Sequence, residues 1–196
     1  QGDVLLGGKN LSQDLRKRSR LELQKIQFVF QMADTALNPR QKIDQILGRP
    51  LEFYTGLKGG EKRKRIAELL EMVELPQDFS GRYPDELSGG QKQRINLARA
   101  LAASPEILLC DEVISALDTI VGANIIELLK QLRKNTGVSF VFISHDLSTV
   151  ASFADYIVVL YSGKVVDQGT VDEVLSPPYH PYTRLLIASV PELRVG

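Results

Sequence analysis

The sequence predicts an α/β fold with a largely parallel sheet, and three observations lead to this prediction. Apolar segments at 107–110 and 138–143 are predicted to be buried strands, and a helical pattern at 121–132 lies between them. The order strand, helix, strand is typical of a parallel sheet with crossover helices. A predicted hairpin at 156–167, with a Ser-Gly turn, adds an antiparallel pair at one side.

The elements before these strands follow in order. Short apolar segments at 3–6 and 26–30 are predicted strands, and the pattern from about 41 to 100 is helical. Four apolar residues of the helical region share the spacing of one buried helix face. They are Ile66, Leu69, Leu70 and Val73. At the other end of the chain, Thr170 and Glu173 fit a capping box that opens a last helical region.

The composition excludes several classes of protein. The chain has 196 residues, with 24 Lys+Arg against 24 Asp+Glu, which argues against a general nucleic-acid binder. Its hydrophobic share of 43% is that of a globular domain. One cysteine cannot form an internal disulfide, which favours a reducing compartment. No apolar run reaches the roughly 18 residues of a spanning helix, and a signal-peptide pattern is absent from the first residues.

The strongest local pattern is Leu87-Ser88-Gly89-Gly90-Gln91. Ser88 can cap a helix, and Gln91 three positions later completes a capping box. The two glycines allow close approach to the backbone, and the N–H groups and dipole at a helix start favour an anion.

Other polar residues directly follow predicted strands. Asp111 and Glu112 come after the strand at 107–110, so two carboxylates project from the edge where open α/β sheets bind ligands. His145 and Gln31 each come just after a predicted strand as well. Taken singly, each also fits a solvated strand end.

As an ordered set, these patterns resemble the motifs of ABC-type ATPases. Residues 87–91 match the signature sequence, 107–112 resemble the Walker B strand, and 115–118 (Ser-Ala-Leu-Asp) resemble the D-loop. His145 resembles the switch histidine, and Gln31 resembles the Q-loop glutamine. The resemblance implies a truncated P-loop NTPase core with a helical signature subdomain and a short C-terminal extension.

The resemblance also implies catalytic roles for four residues. Asp111 would support Mg²⁺, directly or through water, and Glu112 would polarise the water that attacks the γ-phosphate of ATP. Gln31 would complete the surroundings of the Mg²⁺ and the water, and His145 would contact the γ-phosphate. Such positioning and charge stabilisation are what phosphoryl transfer requires.

The implied partners follow from the signature. Ser88, Gly89, Gly90 and Gln91 would bind the γ-phosphate of ATP held by a second ATP-binding subunit, in a homo- or heterodimer, and Asp118 would shape that contact. Two integral membrane permease subunits would complete the transporter, with no nucleic acid involved. The chain would be cytoplasmic, peripheral on the inner face of the cell membrane.

Two segments resemble one branch of the family, the dipeptide/oligopeptide (peptide/nickel) importers. They are Leu-Asn-Pro-Arg at 37–40 and Ser-Pro-Pro-Tyr-His-Pro-Tyr-Thr at 176–183. The implied parts are a partial ATPase core with the Q-loop (1–38), a helical subdomain with the signature (39–98), the ATPase core with Walker B, D-loop and switch histidine (99–169), and a C-terminal extension (170–196).

A phosphate-binding G-x-x-x-x-G-K-[ST] loop is not found in the sequence. The segment at 7–10 (Gly-Gly-Lys-Asn) lacks the first glycine and ends in Asn. We expect this P-loop to precede Gln1, with its strand next to the strand that carries Asp111. A helix start contributes at most ~2 kcal/mol toward an anion, whereas a 1 mM dissociation constant needs about 4 kcal/mol. The chain alone is therefore expected neither to bind ATP at micromolar level nor to hydrolyse it.

The leading interpretation is a fragment of the ATP-binding subunit of a peptide-type ABC importer, which is an ATPase in its full-length parent. One alternative is a non-transport ABC ATPase of DNA repair or translation. The stretch between Gln31 and Leu87 is too short for the coiled coils of the repair type. The other alternative is an interaction module that naturally lacks the P-loop.

Overall fold

The computed structural model describes residues 2–189. The chain forms two compact units, Gln1–Val141 and Phe142–Gly196. The end of the predicted C-terminal extension, 190–196, lies outside the described residues, and the four-part division of the chain stays a prediction. No helix in the described range combines the length and the apolar composition needed to cross a membrane.

The secondary structure mixes strands and helices. The strands are β1 (Leu5–Leu6), β2 (Lys9–Asn10), β3 (Ile26–Val29), β4 (Ile107–Asp111), β5 (Ser139–Ile143), β6 (Tyr156–Tyr161) and β7 (Lys164–Thr170). The α-helices are α1 (Arg20–Lys25), α2 (Ala33–Ala36), α3 (Ile43–Pro50), α4 (Gly59–Met72), α5 (Gly89–Leu101), α6 (Thr119–Thr136), α7 (Leu147–Phe153), α8 (Val171–Val174) and α9 (Pro181–Ser189).

The main sheet has the strand order β3-β4-β5. Strands β3 and β4 are parallel, and Val29 pairs with Cys110 near their carboxyl ends. Residues that follow these two strands therefore leave the sheet at the same edge. Strand β4, which carries Asp111, is hydrogen-bonded to β3 on one side and to β5 on the other. The expectation that the P-loop strand lies next to β4 is therefore wrong.

In the first unit, α1 and α5 pack against β3, and α3 and α4 pack against α5. The face predicted from spacing is buried in α4, where Leu69 and Leu70 are fully buried. Helix α6 likewise buries Ile125 and Leu129, which the sequence placed on its apolar face. Helix spacing predicted these two elements correctly because each packs one continuous apolar stripe.

Two short elements near the start of the chain differ from prediction. Gly7 and Gly8 have φ values of 56° and 77° and connect β1 to β2 in a small hairpin. A two-residue hairpin turn requires positive φ at both central positions, and glycine adopts such values without strain. Gly7 and Gly8 therefore form the turn of this hairpin. Helix α1 was not predicted, although Ser19 and Glu22 form a capping box at its start.

The second unit is built on the hairpin of β6 and β7. The predicted turn is confirmed, with φ of 49° at Ser162 and 75° at Gly163. Ile157, Val159 and Val174 form the centre of its apolar core. Among the described residues, β6 and β7 pair antiparallel in a two-stranded sheet, so the predicted antiparallel pair is confirmed.

Candidate functional site

The carboxyl edge of β3 and β4 brings together two predicted catalytic residues. The Nε2 amide of Gln31 donates to Oε2 of Glu112 at 2.8 Å and to Oγ of Ser115 at 3.2 Å. Ser115 in turn donates its hydroxyl to the carbonyl oxygen of Glu112 at 2.9 Å. Gln31 lies two positions beyond β3 and Glu112 one position beyond β4. Because these strands are parallel neighbours, the two side chains come together at the same edge of the sheet. Ser115 was known only as part of the D-loop pattern, and its contact with Gln31 could not be read from the sequence.

The backbone of Glu112 is held in an unfavourable conformation. Its φ is +46°, in the left-handed region, which costs an L-residue roughly 1–2 kcal/mol. The N–H of Ser115 donates to the Glu112 carbonyl at 3.1 Å, in addition to the hydroxyl contact. Conformations of this kind persist where the surroundings enforce them, and they concentrate at functional sites. The strain therefore supports a special role for the Glu112 carboxylate.

The oxygen donors at this edge suit a magnesium ion. Asp111 is the last residue of β4, and Glu112 follows it. No group of three or more His, Cys, Asp or Glu in the described range could hold a metal ion by itself. Magnesium commonly takes only one or two protein carboxylates and completes its shell with water and substrate phosphates. Asp111, with the amide oxygen of Gln31 and the neighbouring carboxylate, fits that kind of site.

The signature forms the capped helix start that the sequence predicts. Oγ of Ser88 accepts the N–H of Gln91 at 3.4 Å, and Oε1 of Gln91 accepts the N–H of Ser88 at 3.0 Å. This reciprocal capping box is confirmed, while the predicted phosphate contacts of Ser88, Gly89, Gly90 and Gln91 stay predictions.

The signature glycines lie against the segment that follows β4. A methyl group at Gly90 would lie only 2.6 Å from Cγ1 of Val121, and one at Gly89 would lie 3.8 Å from Leu117. Asp118 begins α6 as its N-cap and accepts the N–H of Val121 at 3.0 Å. The signature and the D-loop pattern are thus packed together. Close packing against Val121 requires glycine at position 90, in addition to the predicted contact of Gly90 with phosphate.

His145 belongs to the second unit, whereas the other predicted site residues belong to the first. It is exposed, and Asp146 beside it caps α7 by accepting the N–H of Ser148 at 3.1 Å. Burial alone would raise the pKa of Asp146, but hydrogen bonds from Ser148 and Thr149 outweigh it and lower that pKa. This cap was missed in the sequence, although Asp before a helical pattern is the usual signal.

The single cysteine is a core residue. Cys110 is fully buried in β4, and desolvation raises the pKa of its thiol to about 12. The thiolate is the reactive form of cysteine, so this thiol is chemically inert in the folded protein. Its predicted role as a small apolar residue fits this burial.

Helix α5 contributes polar residues that the sequence reasoning also missed. Gln93, Asn96 and Arg99 donate hydrogen bonds to main-chain carbonyls in the segment 30–36. The available signal was a row of polar residues on a helix face that is otherwise buried. What that row contacts depends on the tertiary structure.

Family profiles and curated relatives match the sequence of this chain. The profile of the ABC transporter family matches residues 1–115, and that of the oligopeptide/dipeptide transporter C-terminal region matches 166–196. The chain is 41% identical to the dipeptide transport ATP-binding protein DppF of Haemophilus influenzae, over 98% of this chain and 59% of that protein. It is 42% identical to the oligopeptide transport ATP-binding protein OppF of Bacillus subtilis, over 97% of this chain and 63% of that protein.

Solved structures resemble it as well. The ATP-binding cassette MJ0796, a dimer in a post-hydrolysis state with ADP and Pi, superposes with a TM-score of 0.74 at 36% identity, covering 87% of this chain and 74% of that one. The cbiO1 protein of Clostridium perfringens gives 0.79 at 25% identity, covering 98% and 74%. This chain spans about three fifths of the length of the curated relatives it matches. Residues 166–196 match the C-terminal region of the oligopeptide/dipeptide transporters. By the match over residues 1–115, the chain belongs to the ABC transporter family.

Proposed function

We propose that this chain is part of the ATP-binding and ATP-hydrolysing subunit of an ABC importer that takes up peptides or related solutes. The contact of Gln31 with Glu112 carries this proposal, because it places an amide and a carboxylate side by side at the ligand-binding edge of a parallel sheet. The oligopeptide/dipeptide region at 166–196 supports the transporter branch over a non-transport ATPase.

In this proposal Glu112 acts as the general base. Its carboxylate takes a proton from water while the water oxygen bonds to the γ-phosphorus. The bond from that phosphorus to the bridging oxygen breaks, and ADP leaves with the bonding electrons. Gln31 orients the water and the Glu112 carboxylate, and His145 contacts the γ-phosphate. Magnesium, held on the Asp111 side, would neutralise charge on the phosphate oxygens.

The signature would serve ATP bound by another subunit. The start of α5 presents the N–H groups of Gly89 and Gly90, beside the Ser88 hydroxyl, and a positive dipole end, which suit a phosphate. Asp118 and the packed glycines would form the neighbouring part of the same contact. A second ATP-binding subunit and two membrane permeases are the partners in this proposal, and the chain would work on the inner face of the cell membrane.

Joining the chain to a P-loop tests the proposal. The chain is fused behind the P-loop segment of a dipeptide importer ATPase, and Mg-ATP binding and phosphate release are measured. We expect Glu112→Gln to reduce turnover by a factor of 100 or more, on the order of the effect of a general base, and to leave ATP binding intact.

The matched control is Glu71→Gln, which makes the same change at an exposed position of α4. It should leave both measurements unaltered. Turnover that survives Glu112→Gln would remove Glu112 from the mechanism, and an unmodified fusion without ATPase activity would argue for the interaction-module alternative.

A further inference from the structure

A row of polar residues, two buried and one half-buried, runs along one face of α5. Gln93, Asn96 and Arg99 are spaced by three residues, which places them on one side of a helix. Gln93 is 2% exposed and Asn96 is 0% exposed, although both are polar. Every buried side-chain nitrogen and oxygen in the described part of the chain has a hydrogen-bond partner. Burial of polar groups is favourable only with such partners, so the identity of these partners is informative.

The row contacts the main chain of the segment that carries Gln31. Nδ2 of Asn96 donates to the carbonyl oxygen of Phe30 at 2.9 Å, and Nε2 of Gln93 donates to the same oxygen at 3.4 Å. Arg99 donates one nitrogen to the carbonyl of Ala36 and another to Oδ1 of Asn96, the latter at 2.8 Å. One helix thus holds the segment near both of its ends.

A surface ion pair extends the connection toward the signature. Nζ of Lys92 lies 2.5 Å from Oδ1 of Asp34. Lys92 follows Gln91, the last residue of the signature, so the contacts begin directly beside the helix start.

We propose that Asn96 is a positioning residue that fixes the amide of Gln31 against Glu112 through the carbonyl of Phe30. A peptide unit is planar, so holding the Phe30 carbonyl also fixes the N–H of Gln31 in the same plane. Two donors on one carbonyl, from successive turns of α5, restrict rotation of that plane. The helix that presents the signature is then linked mechanically to the carboxylate edge of the sheet. The consequence for turnover rests on the proposed function, whereas the positioning itself does not.

The direct test is hydrogen–deuterium exchange on the 196-residue chain. Asn96→Asp keeps the size and the acceptor for Arg99, but it replaces the donor to Phe30 with an oxygen that repels the carbonyl. We expect the amides of 31–36 to exchange about tenfold faster or more, because the Phe30 carbonyl loses the shorter of its two hydrogen bonds from α5. The amides of β6 and β7 should keep their rates.

Two further variants make the outcome decisive. Asn124→Asp is the matched control, since Asn124 is exposed on α6, and it should change no rate in 31–36. Gln93→Glu removes the longer contact and should give a smaller acceleration in the same segment. If Asn96→Asp fails to fold, the exchange rates of Gln93→Glu decide the outcome. Unchanged rates in 31–36, or an equal acceleration over the whole chain, would overturn the proposal.

A kinetic measurement on the P-loop fusion separates positioning from folding. Asn96→Asp should lower kcat about tenfold or more and keep KM for ATP within about twofold, because the variant disturbs the attack and not nucleotide binding. If KM rises as steeply as kcat falls, Asn96 is not a positioning residue for the reaction. A fusion without ATPase activity would refute the proposed function, and the exchange rates would still decide whether Asn96 positions Gln31.

Discussion

The two compact units hold their site segments in different ways. In the first, the segment of Gln31 is held by α5 through contacts between residues as far apart as 66 positions, from Asn96 to Phe30. In the second, His145 is followed by α7, whose N-cap is a local contact. The Asp146 carboxylate accepts the N–H of Ser148, two positions later. A long-range arrangement can change when either partner moves, whereas a local cap forms with its own helix. The segment with the proposed base therefore depends on tertiary packing, and the segment with His145 depends on local sequence.

The largest effect is expected from Gly90→Ala in the first unit. The new methyl group would lie 2.6 Å from Cγ1 of Val121, so the start of α5 and the first turn of α6 must separate. We expect the free energy of unfolding to fall by about 2–3 kcal/mol, as in overpacked cores. Urea denaturation followed by circular dichroism measures it.

The control for this substitution is Gly60→Ala in α4, where nothing lies within 4 Å of the added methyl. Alanine there should raise the stability by up to about 1 kcal/mol, because it favours helix over glycine. Adding Val121→Ala to Gly90→Ala should restore part of the loss. Equal effects at Gly90 and Gly60 would show that close packing of the two motifs does not matter.

A smaller loss is expected from Val159→Ala in the second unit. Val159 is 5% exposed in the core of the hairpin, and its neighbour Val158 on the other face is 49% exposed. Removing two buried methyl groups should cost about 2 kcal/mol. The matched change Val158→Ala should stay within about 0.5 kcal/mol. Similar losses at both positions, measured by the same denaturation, would contradict the assignment of the buried face.

The smallest effect concerns the cap beside His145 and its dependence on pH. Hydrogen bonds from Ser148 and Thr149 lower the pKa of Asp146 below its value in the unfolded chain. A lowered pKa adds stability above the unfolded value of 3.8, and that stability is lost as the pH falls through the folded value. Asp146→Asn keeps a capping oxygen, so at neutral pH we expect a loss of only about 0.5 kcal/mol.

Denaturation at neutral pH and at about pH 3 checks the sign of this effect. The difference between wild type and Asp146→Asn should shrink at the acid end, where the wild-type carboxyl begins to protonate. A difference that grows on acidification would show that the cap does not lower the pKa of Asp146.

Local patterns predicted most of the elements. The apolar stripes of α4 and α6 and the alternation of the hairpin are set by neighbours in the sequence, so spacing was enough to find them. The capping box of Ser88 and Gln91 was readable for the same reason, because its two partners are three positions apart. Helix α1 was missed even though Ser19 and Glu22 carry the same signal at its start.

The sequence by itself determined which residues could do the chemistry: the carboxylates after β4, the glutamine after β3 and the capped signature helix. Only the tertiary structure decided which of them meet. The contact of Gln31 with Glu112 depends on β3 pairing directly with β4, and the hold of Asn96 on Phe30 depends on how α5 packs beneath that edge. Strand order and helix packing minimise the free energy of the whole chain, so no window of the sequence contains them.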